Sequence, residues 1–204
     1  MTGPLADLRW RTPAAWTDTA LSDPLALLAD HAHLERAAAA NALALVRRWP
    51  GGVDPNRWVL RLAGVARDET EHLALVTREL ARRGGALTRK HDSGYARALR
   101  EHVAVATAGE LADRLFVSAL IELRSYERFV LLAGADHDLS PLYAGLQASE
   151  AGHHRLFVAL ARSCGGDADR WSWWCDEEAA VAEAQPPGPR IHAGVVARAG
   201  TATV

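Results

Sequence analysis

Two stretches of this 204-residue chain carry residue types whose spacing suggests chemistry. In Arg67-Asp68-Glu69-Thr70-Glu71-His72-Leu73, Glu69 and His72 stand three positions apart. On a helix that spacing puts both on one face. Leu62, Val65 and Ala66 before them, and Leu73 and Val76 after, make that face apolar. The same Glu-x-x-His spacing occurs once more, at Glu150 and His153. Its stripe is Tyr143, Leu146 and Gln147, then Phe157 and Leu160. A carboxylate and an imidazole turned toward a core are costly unless something satisfies them, and a metal ion does so directly.

The elements around these motifs read as helices. Alanine, leucine and arginine dominate, and β-branched residues are scattered. Asp23-Pro24 starts a helix that runs to about Trp49, with Leu28, Ala32, Ala38, Ala39, Ala42 and Val46 on one face. Pro50-Gly51-Gly52 stops it. Asp54-Pro55 starts a second helix, which carries Glu69 and His72 and ends near Gly84-Gly85. Glu110 to Ala133 forms a third, and Ser140-Pro141 caps a fourth that carries Glu150 and His153. Short loops make two antiparallel hairpins, joined by a long connection over 85–109 with a helical piece from Ser93 to Val105. That pattern predicts an all-α, ferritin-like four-helix bundle.

The chain reads as one domain: an arm over 1–21, the bundle over 22–165, and a C-terminal helix and tail over 166–204. Thr12-Pro13 reads as the cap and first position of a short helix carrying Trp16. Trp171, Trp173 and Trp174 on the fifth helix read as packing against the bundle.

A dinuclear carboxylate centre takes one Glu from each of two helices and Glu-x-x-His from each of the other two. On helix one the qualifying carboxylate is Glu35, set among alanines and about as far before its loop as Glu69 is after it. Helix three offers Glu122 and Glu127. Glu122 lies level with Glu150, whereas Glu127 falls nearly a turn too close to the loop. The expected ligand set is therefore Glu35, Glu69, His72, Glu122, Glu150 and His153, with Glu127 as the alternative. Four carboxylates and two imidazoles suit iron or manganese better than zinc. His31, His33 and His154 read as surface residues or as support for the ligands. Tyr126 reads either as a hydrogen-bond donor near the metals or as core.

Other features narrow the function class. Formal net charge is −2, so no global basic field advertises nucleic acid, and an RNA partner would need a local patch. Arg78, Arg82, Arg83, Arg89 and Lys90, with Arg97 and Arg100, form the densest candidate. The two cysteines, Cys164 and Cys175, make neither a disulfide framework nor a zinc pattern. The apolar runs are too interrupted to span a bilayer, and no secretory leader opens the chain, which reads as cytoplasmic.

Several motifs together resemble one family, the tRNA 2-methylthio-isopentenyl-adenosine hydroxylases, called MiaE. They are Asp30-His31 with Glu35, Ala66-Arg67-Asp68-Glu69-x-x-His72, and Arg83-Gly84. Ile121-Glu122-x-Arg124-Ser125-x-Glu127-Arg128-Phe129 and Ser149-Glu150-Ala151-x-His153 continue the match. Thr12-Pro13-x-x-Trp16 and the closing Arg190-Ile191-His192-Ala193-Gly194 extend it beyond the bundle. The resemblance implies a diiron monooxygenase that hydroxylates the isopentenyl group of an adenosine beside the tRNA anticodon. It implies two iron ions, dioxygen as co-substrate, tRNA as partner, and an external electron donor or reductase, because the chain has no flavin, nicotinamide or iron–sulfur motif. The competing readings are a rubrerythrin-like ferroxidase or peroxidase, a related diiron oxygenase for another apolar substrate, and a metal-free helical interaction module.

Overall fold

The structure is a computed structural model and describes residues 3–195. Its described residues form seven α-helices: α1 (Trp16–Leu21), α2 (Pro24–Leu45), α3 (Pro55–Arg82), α4 (Gly94–Glu101), α5 (Glu110–Ala133), α6 (Ser140–Ser163) and α7 (Ala168–Glu183). Helix α2 packs along α3, and α5 along α6. The connection over 83–109 carries α4 between the two hairpins. This is the ferritin-like bundle that the spacing of the helices predicts. No helix among the described residues is long and apolar enough to cross a membrane.

Local chemistry fixes the ends of the helices. The Asp23 carboxylate accepts the Ala26 N–H and starts α2, while Asp54 does the same for Asn56 at α3. Pro24 and Pro55 follow as first helical residues, where a missing N–H costs nothing. Helix α2 ends at Leu45, four residues before the expected Trp49. The Leu45 carbonyl accepts the Trp58 indole N–H at 3.0 Å and the Arg48 N–H at 3.0 Å, which turns the chain early. Gly84 ends the α3 turn at φ +80°, a conformation L side chains rarely adopt.

Two proline starts work differently from expectation. Thr12 does not cap α1, which begins at Trp16 after a turn. Its hydroxyl donates instead to Glu127 Oε2 at 2.5 Å, tying the arm to α5. Ser140 is the first residue of α6 and not its cap. Its hydroxyl donates backwards to the Ala135 and Leu132 carbonyls, at 2.6 and 3.0 Å. The crossover helix is also shorter than Ser93 to Val105, because the chain turns at His102.

The apolar core divides in two. One part packs Leu62, Val65, Leu115, Phe116, Phe157 and Trp174 toward one end of the bundle. The other packs Leu28, Val76, Phe129, Tyr143 and Leu146 with Ile191 from the tail. Trp171 and Trp174 are buried against the bundle, and the Trp174 indole donates to Asp113 at 2.9 Å. Both cysteines are free, Cys175 buried and Cys164 partly so.

Between the core parts runs a layer of buried charge. Arg124 is fully buried and donates twice to Glu178, at 2.8 Å each, and also to Glu127. The Tyr95 hydroxyl completes Glu178 at 2.7 Å. Pairing offsets a desolvation cost that either charge alone could not bear. The tail closes over this layer. The Ile191 N–H donates to Asp30 at 2.9 Å, and Arg128 donates to the Ala193 carbonyl at 3.1 Å. Gly194 is required there, because a Cβ would lie 1.8 Å from the Gln185 carbonyl oxygen. The last residues of the expected tail, 196–204, lie outside the described residues.

Candidate metal centre

Four helices deliver the six expected residues to one place. Glu35 comes from α2, Glu69 and His72 from α3, Glu122 from α5, and Glu150 and His153 from α6. Their ligand atoms fall into two groups. Glu35, Glu69, His72 and Glu150 form one; Glu69, Glu122, Glu150 and His153 form the other. Within each group the ligand atoms lie within 4.8 Å of one another. Glu69 and Glu150 belong to both groups. Glu127 is elsewhere. Its carboxylate accepts from Arg11 Nε at 2.6 Å, from the Thr12 backbone and hydroxyl, and from Arg124.

The donor atoms are buried and unspent. Among the described residues, Glu69 Oε1, Glu150 Oε1, His72 Nδ1 and His153 Nδ1 have no hydrogen-bond partner. His72 Nδ1 stands 3.7 Å from an oxygen of each of Glu35, Glu69 and Glu150. His153 Nδ1 is 2.7 Å from Glu69 Oε1, too misaligned for a hydrogen bond, and 3.8 Å from Glu122 Oε2. Buried polar atoms left without partners are rare and costly, and cations between them would satisfy all four at once.

The electrostatics point the same way. Burial pushes the Glu69 carboxyl up to about 8, with the Glu122 charge adding to it. Burial, then Glu122 and Glu69, raise Glu150 well above the carboxylate range. Burial opposes charging of the two histidines, yet contacts with Glu35 and Glu69 lift His72 to about 10, and Glu122 and Glu69 lift His153 to about 11. Burial also works against ionisation of Glu35, but hydrogen bonds from Glu69 and His31 hold it low. Without cations the cluster thus retains protons to limit its own repulsion. Two divalent ions would balance four carboxylates.

Residues outside the expected set orient it. His31, expected near the surface or behind the ligands, is buried with Nε2 2.5 Å from Glu35 Oε1. Asp68 Oδ2 lies 3.3 Å from His153 Nε2, leaving Nδ1 to face the cluster. Carboxylate support behind a ligating histidine fixes its tautomer and ring plane. His154 is buried, Nδ1 bonded to the Ala119 carbonyl, and His33 stacks on His91 at 4.7 Å. Tyr126 is only half-buried and does not line the centre. His31, four residues before Glu35, was available to a helical reading. Asp68 was not, because its partner lies 85 positions away.

Beside the cluster, between α2, α4 and α5, lies a cavity of about 70 Å³. Leu34, Ala38, Ile121 and Phe129 give it apolar walls, and Glu35, Glu69, Glu122 and Glu150 form its floor. Ser125 and His192 contribute a polar spot, their side chains 3.1 Å apart. Burial pushes the His192 imidazole down to about 3, so it stays neutral. Arg100 stands exposed at the rim. His192 reaches the cavity from the far end of the chain, so no local pattern could have placed it.

Fold and site together define a ferritin-like bundle with a buried carboxylate–histidine cluster that could hold metal ions. Residues 4–193 match the family model described as tRNA-(MS[2]IO[6]A)-hydroxylase (MiaE), and the chain belongs to that family of enzymes. A tRNA 2-(methylsulfanyl)-N(6)-isopentenyladenosine(37) hydroxylase from Pseudomonas putida is 39% identical over 159 residues, covering 78% of this chain and 76% of that protein. The protein of the same description from Salmonella typhimurium is 30% identical over 140 residues, 67% of this chain and 52% of its own length. Among solved structures, a Synechococcus protein described as having aldehyde deformylating oxygenase activity superposes with TM-score 0.83. It is 30% identical, over 95% of this chain and 98% of that one.

Proposed function

We propose that this protein is a non-haem diiron monooxygenase of the cytoplasm that hydroxylates the isopentenyl group of a hypermodified adenosine next to the tRNA anticodon. One observation carries the reading beyond family membership. An apolar cavity opens directly onto the carboxylates that would hold the ions. An iron-handling or peroxidase site needs no such chamber for an organic group.

Glu69 and Glu150 would be shared by the two ions, Glu35 and His72 would serve one, and Glu122 and His153 the other. Iron bound there would supply the reductive activation of dioxygen. Overall, a C–H bond becomes C–OH, the second oxygen atom leaves as water, and two electrons and two protons come from outside. An external donor protein or reductase must deliver those electrons.

The chain's own residues have narrower tasks. His31 holds Glu35, and Asp68 holds His153 with its free nitrogen inward. Leu34, Ala38, Ile121 and Phe129 exclude water and fit the branched hydrocarbon end of a prenyl group. Ser125 and the neutral His192 offer hydrogen bonds at the wall, suited to the substrate's polar end or the new hydroxyl.

The likeness to an aldehyde deformylating oxygenase supports a second reading, a related diiron oxygenase acting on another apolar substrate. Nucleoside mass spectrometry of tRNA from cells with and without the gene separates the two. Loss of the hydroxylated nucleoside with accumulation of its prenylated precursor is expected. Unchanged tRNA nucleosides would reject the tRNA reading.

A further inference from the structure

The cavity is not an isolated pit. Through Leu34, Ser93 and His192 it shares its walls with a groove of about 630 Å³, bordered by α4 and the tail. Through Asp30, Asp92, Pro189 and Arg190 that groove runs into a second, of about 800 Å³. The second groove is lined by Arg36, Arg89, Lys90 and Arg190, all exposed.

These four cations differ from the rest of the expected basic patch. Arg82 and Arg83 are spent on Glu79, and Arg83 also on Asp138, while Arg97 pairs with Asp92. Among the described residues, Arg36, Arg89, Lys90 and Arg190 have no carboxylate partner within 4.0 Å. Arg190 makes one hydrogen bond, to the Asp92 carbonyl at 3.2 Å. The acidic residues of this groove are already engaged. Asp30 accepts from His91 at 2.7 Å and from the Ile191 N–H, and Asp92 is held by Arg97. The groove floor is the stacked pair His33 and His91, whose flat faces lie 15° from parallel.

We infer that this groove is where the RNA backbone lies, with Arg36, Arg89, Lys90 and Arg190 on the phosphates flanking the base that enters the cavity. The inference rests on the proposed tRNA reading. Four unneutralised cations along a channel that ends at an apolar chamber match a polyanion carrying one apolar group. An acidic electron-donor protein would also be drawn to the cations, but it would have no use for the connection to the cavity. The docking surface therefore moves from the end of α3, where the sequence places most of the patch, to the face between α2, the 88–92 segment and the tail.

The test uses the full chain and an anticodon stem-loop carrying the prenylated adenosine, with binding measured across a salt series. Each cation withdrawn from a phosphate of a single-stranded segment flattens the logarithmic salt slope by about 0.7. Changing Arg36, Arg89, Lys90 and Arg190 together to Gln should flatten it by about 3 and weaken binding at low salt at least tenfold. The control Arg82→Gln, Arg83→Gln, whose cations lie outside both grooves, should bind within about twofold of the parent. Because Arg190 also holds the tail, the triple change without it is run in parallel and should flatten the slope by about 2. Turnover of the free prenylated nucleoside should be the same in parent and variants. If nucleoside turnover persists and neither groove variant alters stem-loop binding, the docking assignment is wrong and the hydroxylase reading stands. If the parent hydroxylates neither nucleoside nor stem-loop, the functional reading fails and takes the docking surface with it. If stem-loop binding survives in the variants but donor-driven turnover is lost, the groove belongs to an acidic electron donor and the inference is overturned.

Discussion

His31 Nε2 lies 2.5 Å from Glu35 Oε1, one turn apart on α2, with both side chains buried. The imidazole is wedged between Phe129 and Tyr143, ring centroids 4.9 and 5.5 Å away, so it cannot swing aside. Glu35 is therefore aimed before any ion arrives. His31→Leu should keep the bundle folded and reduce iron affinity about tenfold to a hundredfold, the usual cost of losing such support. Isothermal titration under anaerobic conditions measures it. Unchanged affinity would show that Glu35 needs no help.

Glu122 and Glu127 should fail in opposite ways. Glu122→Ala removes an oxygen from the cluster and should lower iron content, with little loss of helix. Glu127→Ala leaves the cluster alone but deprives buried Arg124 of one partner and frees the Thr12 arm. Breaking a buried pair costs about 3–5 kcal/mol. Its melting temperature should fall markedly while the remaining folded protein loads iron fully. The reverse pattern would exchange their roles.

The metal-free protein should weaken as pH rises from about 6 to 9. Glu69 is raised to about 8, so the stability its protonated form supplies is present below the unfolded carboxyl value and lost as pH climbs through 8. His72 and His153, raised to about 10 and 11, act in the same direction from neutral pH upward. Ions replace those protons, so the gain in melting temperature on iron loading should grow with pH. A gain that is flat or shrinking between pH 6 and 9 would contradict this arrangement.

Ala38 marks the width of the chamber. Ala38→Phe places a ring against the walls of a cavity of about 70 Å³. Nucleoside turnover should fall at least tenfold, with iron content and its absorption spectrum unchanged. Equal turnover would mean that substrate reaches the ions by another route.

The sequence was most informative where structure is local. The proline starts, the glycine stops and the two Glu-x-x-His stripes are contained within single helices, so local signals expose α2, α3, α5 and α6. Glu35 stood out as the qualifying carboxylate of its helix, and counting residues from a short loop checked it and favoured Glu122 over Glu127, because a hairpin fixes the height of one helix against the next. What escaped was made by distant segments: Asp68 behind His153, Glu178 on Arg124, His192 in the cavity wall. Thr12 misled for the same reason. A Thr-Pro pair looks like a cap until a carboxylate from α5 claims the hydroxyl. One-dimensional density of arginine likewise says nothing about which ones already face Glu79 or Asp138.

The tail has a consequence for the order in which the protein assembles. Each hairpin forms from neighbours along the chain, whereas the Ile191 N–H reaches Asp30 across 161 positions. Long closures of that kind come late in folding. The helices that carry Glu35, Glu69, Glu122 and Glu150 can thus dock before His192 walls the chamber. The same few bonds are the natural place for the native protein to open first, which hydrogen exchange would register at Ile191 before the α5 and α6 core. Scaffold and chamber are then separable events: a nascent molecule acquires its carboxylate-lined interior first, and only afterwards the wall that encloses it.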